Sequence, residues 1–508
     1  MKKKRVFVTG TTGTMGGETM KQLLNRSERF QVVTLARDSE KNRTFMQQYI
    51  DNPDLEVHWG DLVNYDDVLK CVAGCDFVIH CAAFVSPSAD RYPAEAMKIN
   101  YGGTLNLIQA ILAQPNKDDI KLVNIGTVAE TGDRMAPIHW GRVGDPLKPS
   151  VHDYYAVSKI AAERAVIESG IKYWVSLRQT GIMSIKEFSL NEGIAFHQPL
   201  NNVLEWVTDH DSGVLCANAC EDWVDTDFWG HVYNIGGGED CRNTSYELMS
   251  AMMKEIGVKQ FKEVCEPNWY ATHNFHGQWY LDSDKLNDFL HFRSQTTKDF
   301  VRYYGKVMRE QAAQQTPENT PVMNSNQLAA MLKQTNEQVA LTDTGTLHWL
   351  IHNQEEQVDP FFISKEQWAK IPGWDRFVLY RPEGEAIWLD HGYDESKPKT
   401  ELSLADLQQA AKFRGGECLS ESMTAGDWTT KLDFTCHLGH HFSASPRLVL
   451  EGGHWCDECE RSSWNYHELA KQSPFFAQVW YPLHDKSEQT HEYKKYVKDT
   501  DITATSKF

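Results

Sequence analysis

Short apolar runs alternate with helix-like runs along the first 180 residues. Apolar segments begin near residues 5, 31, 76 and 121. Between them, apolar side chains recur every three or four positions, as Met20, Leu23 and Leu24 do. Runs of the first kind are typical of buried strands and runs of the second kind of amphipathic helices. The pattern therefore predicts successive strand–helix units.

A glycine-rich turn joins the first strand to the first helix and is the feature around which the chain is organised. Gly10 suits a tight turn, Gly13 lets backbone approach a pyrophosphate, and Gly16 lets the helix pack on the strand. The helix N-terminus adds free N–H groups and the positive end of a dipole. The alternative is an ordinary turn, but the flanking elements favour nucleotide binding. The predicted contacts in this turn are Gly10, Thr12, Gly13, Thr14, Met15 and Gly16.

The end of the second strand indicates which dinucleotide is preferred. An acidic residue there suits the ribose hydroxyl of NAD, whereas a basic residue suits the 2′-phosphate of NADP. The strand ends at Arg37, with Lys41 and Arg43 nearby, so we predict NADP(H), with NAD(H) as the alternative. Asp38 complicates this assignment, and a solvated charged turn is the other interpretation.

Tyr155 and Lys159 are the candidate catalytic pair. They are four residues apart and share one face of a predicted helix. A phenol has an ordinary pKa of about 10, and a nearby ammonium lowers it. Tyr155 would then exchange a proton with a carbonyl or an alcohol, while Thr127 at a strand end binds the same oxygen. Tyr154 competes but lies off that face, and His80 is predicted to be a packed or hydrogen-bonded core histidine.

Taken together, these motifs resemble the extended short-chain dehydrogenase/reductase family over the first ~310 residues. The matching stretches are residues 9–16, Asp61-Leu62, residues 80–83, Asn100-x-x-Gly103-Thr104, Tyr155-x-x-x-Lys159, Leu177-Arg178 and residues 232–238. The resemblance implies a Rossmann-type parallel sheet flanked by helices, a doubly wound α/β fold, with a small substrate lobe at residues 180–300. It implies that Tyr155 is the acid/base and that Lys159 also holds the nicotinamide ribose. It further implies that Thr127 orients the substrate, that Asn100 supports the site, and that Asp61, Leu62 and Ala82 contact the cofactor.

Departures from the family pattern refine the reaction. Sugar-nucleotide dehydratases usually carry Asp-Glu after the catalytic threonine, but here Val128 and Ala129 follow and Glu130 comes one place late. Arg37 favours NADP and hence net reduction, and Gln179 follows Arg178 where an epimerase would be expected to carry asparagine. We therefore predict an NADP(H)-dependent oxidoreductase acting on a small-molecule carbonyl or alcohol. The alternatives are a nucleotide-sugar epimerase with bound NAD(P) and a non-enzymatic cofactor-binding scaffold.

The composition changes after residue 304 and predicts a second unit. Residues 309–327 are polar and indicate a helix end followed by a linker. We assign residues 1–310 to the dehydrogenase-like domain, 311–340 to the linker and 341–508 to a separate C-terminal α+β domain. Residues 376–380 and 386–389 flank Pro-Glu-Gly-Glu and predict a β-hairpin.

Cysteine and histidine spacing near the C-terminal end predicts a zinc site. Zinc prefers four tetrahedral ligands, and the favoured set is Cys436, His440, Cys456 and Cys459. His441 or Cys418 could replace His440, His437 is less favoured, and a set of reduced cysteines is the alternative. Residues 405–465 also resemble treble-clef-like zinc modules. Four protein ligands imply a structural metal, for which a packing or protein-contact role is preferred.

Charge narrows the range of partners. A net charge of −19 argues against nucleic acid and anionic membranes. No apolar run is long enough to span a bilayer, and the basic N-terminal residues are not followed by the apolar segment of a signal peptide. Scattered cysteines suit a reducing compartment, so a cytoplasmic location is expected. A homodimer is a family expectation.

Overall fold

The computed structural model describes residues 2–188, 192–315, 323–488 and 491–495. The strands are β1 Lys4–Thr9, β2 Phe30–Ala36, β3 Leu55–Trp59, β4 Phe77–His80, β5 Lys121–Thr127, β6 Trp140–Gly141, β7 Tyr173–Gln179, β8 Ile182–Met183, β9 Val203–Glu205, β10 Val207–Thr208, β11 His231–Asn234, β12 Arg242–Thr244, β13 Trp279–Tyr280, β14 Glu417–Cys418, β15 Leu432–Thr435 and β16 His441–Ala444. 

The helices follow the same order along the chain. They are α1 Thr14–Leu24, α2 Glu40–Met46, α3 Tyr65–Val72, α4 Ser88–Arg91, α5 Pro93–Ala96, α6 Gly103–Leu112, α7 Tyr154–Ile167, α8 Ile185–Phe188, α9 Asp209–Asn218, α10 Ser245–Glu255, α11 Ser283–Leu290, α12 Thr297–Gln315, α13 Ser325–Ala340, α14 Thr346–Ile351, α15 Glu355–Phe362, α16 Lys365–Trp368, α17 Leu404–Phe413, α18 Asp457–Arg461, α19 Tyr466–Gln472 and α20 Pro474–Trp480.

A seven-stranded parallel sheet is the centre of the fold. Its strand order is β11-β7-β5-β4-β1-β2-β3, and every pairing within it is parallel. The order reverses between β1 and β4, which opens a crevice at the carboxyl ends of these strands. The predicted Rossmann-type doubly wound sheet is confirmed.

Alternate residues of the central strands bury opposite faces of the sheet. Phe7 and Val33 belong to one hydrophobic cluster, while Val6, Val8 and Val32 belong to the other. Helices α3 and α6 cover the first face, and α1, α9 and α11 cover the second. Burial on both faces explains why these strands are apolar runs rather than alternating sequences.

The C-terminal region is α+β, as predicted, with an antiparallel sheet β14-β15-β16. This region packs against the parallel-sheet unit. Leu407, Phe434 and Leu448 lie in the same hydrophobic cluster as Ile167 and Trp174 of the parallel-sheet unit. The physical reason is that neither part alone covers these apolar side chains. The boundaries at residues 310 and 340 stay predictions.

Part of the predicted linker is helical. Helix α13 places Ala329 and Val339 against Phe261 in one hydrophobic cluster. Residues 316–322, which include Pro317 and Pro321 of the predicted linker, lie outside the described residues.

The predicted β-hairpin at residues 376–389 is wrong, because this stretch contains no strand. The Asn201 side-chain amide donates to the Val378 carbonyl at 3.1 Å, and the Tyr380 N–H donates to Asn201 Oδ1 at 3.2 Å. Phe377 and Leu379 pack on the cluster around Phe261. The segment lies along the first unit instead of pairing with itself. Throughout the described part of the chain, no helix combines the length and apolarity that a membrane crossing requires.

Candidate functional site

The glycine turn has the geometry that the sequence predicts. Gly10 has a φ of +73°, and a Cβ there would lie 2.7 Å from the Ala82 nitrogen. A Cβ on Gly16 would collide with the Gly10 carbonyl. The turn thus brings backbone of β1, β4 and α1 together at the crevice, where larger side chains would not fit. A dinucleotide pyrophosphate fits this cradle.

The N-terminus of α1 is open to an anion. Its N-cap is Gly13, so no side chain caps the first turn. Thr14 Oγ1 donates to the Glu187 carboxylate at 2.6 Å. A carboxylate therefore already lies beside this helix end, where a phosphate is expected.

The charged turn after β2 leaves Arg37 available. Arg43 makes a bidentate contact with Asp38, with N···O distances of 2.5 and 2.8 Å. Both Asp38 oxygens are therefore occupied. Within the described ranges, the exposed Arg37 guanidinium has no hydrogen-bond or ion-pair partner.

His80 is a buried, hydrogen-bonded core residue, as predicted. Its Nδ1 lies 2.9 Å from Thr9 Oγ1 and its Nε2 lies 3.1 Å from Thr104 Oγ1. Thr104 donates its own proton to the Asn100 carbonyl at 2.6 Å, so it accepts from an Nε2–H tautomer. Burial lowers the pKa of His80 to about 3, so the ring is neutral. Its role is to tie β1 and β4 together beneath the cradle.

Tyr155 is half-buried at the start of α7, and its hydroxyl interacts with the Thr127 side chain. We expected Lys159 to lower the pKa of this phenol, and in this state that expectation is wrong. Burial, with Asp153 and Glu130, raises the pKa of Tyr155, and the contact with Thr127 only partly opposes the rise. Tyr155 is therefore a neutral phenol.

Lys159 is 2% exposed. Among the residues whose positions are described, none accepts a hydrogen bond from its Nζ or pairs with it. Burial lowers the pKa of Lys159, because no counter-ion touches the ammonium. Ribose hydroxyls are the acceptors that would satisfy this group.

Asn100 supports the site through a chain of hydrogen bonds. It lies in a π-helical segment, Met97–Gly102. Its amide donates to Ser158 Oγ at 2.8 Å, and Ser158 donates to the Tyr155 carbonyl at 2.7 Å. The same amide binds both backbone groups of Phe84. Asn100 therefore fixes the loop after β4 against the first turn of α7.

A buried charged cluster behind Thr127 was missed by sequence reasoning. Arg178 lies 3.2 Å from Glu130 and 2.5 Å from Glu163, and His454 lies 3.1 Å from Glu163. Burial and the neighbouring Glu163 raise the pKa of Glu130 to about 8. Although burial opposes it, Arg178 and His454 hold the pKa of Glu163 well below its usual range.

The sequence carried a partial signal for this cluster. Leu177-Arg178 matches a motif of the family that the chain resembles, and Glu130 lies one place later than the acid that a dehydratase of this family carries. His454, however, lies 291 residues from its partner Glu163, and no local pattern joins the two. The remaining predicted contacts, Asp61, Leu62 and Ala82, lie at the ends of β3 and β4 on the same edge of the sheet.

The four predicted zinc ligands converge. The ligand atoms of Cys436, His440, Cys456 and Cys459 all lie within 4.8 Å of one another. The Cys436 and Cys459 sulfurs are 3.6 Å apart, and His440 Nδ1 lies 3.5 and 3.3 Å from the Cys456 and Cys459 sulfurs. A tetrahedral zinc with Zn–S bonds of about 2.3 Å separates ligand sulfurs by about 3.8 Å. This soft donor set fits zinc.

Among the described residues, the alternative ligands Cys418, His437 and His441 do not belong to this group. His440 turns its other ring nitrogen, Nε2, toward Glu458 Oε1 at 3.1 Å. An outer carboxylate of this kind fixes the orientation of a metal-binding imidazole.

The Cys/His module formed by the four converging residues and their neighbours is held against α7 by ion pairs. Arg164 of α7 lies 3.1 Å from Glu460, one residue beyond Cys459. His454 lies between Glu163 and Glu460, at 3.1 and 3.5 Å. Helix α7 thus carries Tyr155 and Lys159 at one end and the docking contacts of the module farther along.

Known proteins resemble parts of the chain. It is 31% identical to an uncharacterized chloroplastic protein of Arabidopsis thaliana, over 34% of this chain and 58% of that protein. It is 30% identical to the UDP-glucose 4-epimerase of Rickettsia rickettsii, over 22% of this chain and 33% of that enzyme. The chain thus spans less than two thirds of either relative.

Solved structures share low identity with the chain. The dTDP-glucose 4,6-dehydratase DesIV of Streptomyces venezuelae, crystallised with NAD and TYD, is 20% identical, with a TM-score of 0.49 over 61% of this chain and 98% of that one. 

A family comparison covers the part of the chain with the candidate site. The match to the family described as "NAD dependent epimerase/dehydratase family" spans residues 6–185. This stretch holds the glycine turn, Thr127, Tyr155 and Lys159. Residues 6–185 therefore match the NAD dependent epimerase/dehydratase family, and the resemblance that the motifs predict is confirmed for this part of the chain.

Proposed function

We propose that this protein is an NADP(H)-dependent oxidoreductase that reduces a carbonyl, or oxidises an alcohol, of a small molecule. The observation that carries the proposal is that Tyr155 lies close enough to Thr127 for that side chain to lower its pKa, while the buried Lys159 ammonium on the same helix has no partner among the described residues. Thr127 ends β5, which neighbours β4 in the sheet, and the glycine cradle packs on the residues that follow β4.

Thr127, Tyr155 and Lys159 have different roles in the proposed reaction. Thr127 holds the substrate oxygen, and Tyr155, a neutral phenol, donates its proton to that oxygen in the reductive direction. Lys159 binds the ribose of the cofactor. Its ammonium also stabilises the Tyr155 phenolate that is left after the proton has been donated. Hydride exchange is the chemistry that a bound nicotinamide would supply.

Elimination of water is disfavoured. Glu130 is fully buried; its Oε1 accepts from the Thr127 N–H at 3.0 Å, and its other oxygen faces Arg178. This carboxyl group is turned into the protein and is not free to act on a substrate. The site thus lacks the acid that a dehydratase would use next to Thr127.

The preference for NADP(H) is supported by Arg37 and Asp38. Arg43 occupies the carboxylate that would otherwise bind a ribose hydroxyl, and in the described part of the chain nothing pairs with the Arg37 guanidinium, which leaves it available to a phosphate. We expect Arg37→Ala to weaken NADPH binding by about tenfold to a hundredfold, because charge-assisted hydrogen bonds are lost. Calorimetric titration would show little change for NADH, and Arg29→Ala, at the other end of β2, is the control. Equal losses for both cofactors would refute the 2′-phosphate role.

A structural zinc at Cys436, His440, Cys456 and Cys459 completes the proposal. The convergence of four soft ligands supports it, and closure of the site by protein ligands favours a structural metal over a catalytic one.

Turnover tests the reaction. Purified protein with NADPH and a panel of small carbonyl compounds should consume NADPH, followed at its absorbance band. Tight NADPH binding with no turnover on any compound would contradict the oxidoreductase and favour the non-enzymatic scaffold.

A nucleotide-sugar epimerase is the second candidate, favoured by the relatives named UDP-glucose 4-epimerase. Such an enzyme would epimerise a nucleotide sugar such as UDP-glucose without net use of cofactor. Acid-denatured protein would then release tightly bound oxidised cofactor. Release of no cofactor, with stoichiometric use of added NADPH, separates the reductase from this candidate.

A further inference from the structure

A cavity of about 380 Å³ lies between the parallel-sheet unit and the C-terminal region. Its walls come from the connection between β5 and α7, from Asn274, from the end of α15 and from described residues between 464 and 488 and between 491 and 493. None of the residues assigned above to catalysis, cofactor or zinc lines it. The volume is in the range of small-molecule sites.

Lys148 is a buried cation in this cavity that no counter-ion or hydrogen-bond acceptor contacts among the described residues. It lines the cavity and is 3% exposed. In the described parts of the chain, no carboxylate lies within 4 Å of its Nζ and no acceptor hydrogen-bonds to it. Burial lowers the pKa of Lys148 to about 8, so the side chain is still mostly an ammonium at neutral pH. A buried ammonium without a counter-ion is costly.

Three carboxylates also line the cavity, those of Asp133, Asp359 and Glu488, and each has contacts of its own. Asp359 Oδ2 lies 3.9 Å from His491 Nδ1. Both Asp133 oxygens accept backbone N–H groups, from Met135 at 3.3 Å and Asn274 at 2.9 Å. Glu488 accepts the Asp485 N–H at 2.8 Å and contacts His484 at 2.9 Å. Among the described residues, none of these carboxylates contacts the Lys148 ammonium, so an anion in the cavity would be the first group to pair with it directly.

The aromatic side chains in the cavity wall suit a planar, apolar ligand. Trp464, Tyr466, Trp480 and Tyr493 line the cavity. The Lys148 ammonium lies 5.8 Å from the centre of the Trp480 ring, so charge and aromatic surface adjoin. Aromatic side chains of this kind contact planar ligands by stacking or edge-to-face packing.

We propose that this cavity binds a small aromatic carboxylate, with its carboxylate on Lys148 and its ring among the tryptophan and tyrosine side chains. The site exists only where the C-terminal region is docked, because both units supply its walls. It does not depend on the proposed oxidoreductase reaction.

Fluorine NMR on the full chain tests this proposal with two acids, 4-fluorobenzoate and 4-fluorophenylacetate. Each acid is compared with its uncharged amide, which has nearly the same shape. We expect saturable broadening of at least one acid, and binding of its amide weaker by about tenfold or more, since a charge-assisted contact is lost. Absence of binding by both acids, or equal binding of acids and amides, would overturn the proposal.

Variants locate the site. Lys148→Met should weaken binding of the acid to the level of the amide, and Lys148→Arg should retain most of it. Lys172→Met changes an exposed lysine outside the cavity and should leave binding unchanged. Circular dichroism checks that each variant is folded. If Lys148→Met does not fold, the comparison of acid with amide on the unaltered protein still shows whether the cavity requires a carboxylate. Unchanged binding of the acid by folded Lys148→Met would refute the assignment.

Discussion

At the scale of single residues, identity and spacing predicted the candidate catalytic set, but not its electrostatics. The spacing of Tyr155 and Lys159 indicated a shared helix face, and Thr127 was identified from its place at a strand end. The pKa of Tyr155 depends on burial and on Asp153 and Glu130, which a linear sequence does not reveal. The interpretation of His80 as a core residue was correct because its strand is apolar throughout.

The buried Glu130 makes a prediction about pH. Its pKa is about 8 in the folded protein and about 4.3 in an unfolded chain. Because the folded value is raised, the stability that the protonated form contributes is complete below the unfolded pKa and is lost as pH rises through 8. Glu130→Gln keeps the neutral form at every pH. The free energy of unfolding of the natural protein, relative to this variant, should therefore fall between pH 5 and pH 8.

Urea denaturation of both proteins at intervals between those two pH values measures this difference. A difference that does not change with pH would show that Glu130 is ionised throughout and that its pKa is not raised.

At the scale of elements, local patterns predicted the strands of the sheet and the glycine turn, because their residues meet neighbours close in sequence. The predicted hairpin failed because residues 376–389 gain their contacts from Asn201 and the cluster around Phe261, far away in the chain. Propensity for strand was overridden by those tertiary contacts.

The N-terminus of α1 makes a prediction about cofactor affinity. Glu187 contacts Thr14 where a pyrophosphate is expected, so its carboxylate competes for the same helix end. Glu187→Ala should tighten NADPH binding by about two- to fivefold, because a charge at this position is worth ~0.3–1 kcal/mol. Fluorescence titration measures the affinity, and Glu28→Ala, an exposed glutamate before β2, is the matched control. Weaker binding in Glu187→Ala would mean that Glu187 helps to hold the cofactor.

At the scale of the whole molecule, spacing predicted that Cys436, His440, Cys456 and Cys459 come together, whereas it did not predict the docking of this Cys/His module on α7. Cys456 and Cys459 form a local motif, but Arg164 and Glu460 are 296 residues apart. The net charge of −19 describes the whole chain and does not reveal which oppositely charged side chains pair between α7 and the module.

The docking of the module makes a prediction about metal removal. Native mass spectrometry should find one zinc per chain, and Cys459→Ser should abolish it. Loss of the metal should speed hydrogen exchange in α7 more than in α1, because Glu460 and His454 hold α7 from the module. Cys418→Ser lies outside the ligand group and is the control. Equal exchange in both helices after zinc loss would contradict the coupling.

Tyr155→Phe tests the central claim most directly. It removes the phenolic hydroxyl and leaves the cradle, Lys159 and the ring. On a substrate that the natural protein turns over, kcat should fall by about 10²–10⁴-fold, the usual worth of a general acid, while the Kd for NADPH stays nearly the same. A variant that binds NADPH equally well and keeps the full kcat would contradict the assignment of Tyr155 as the proton donor.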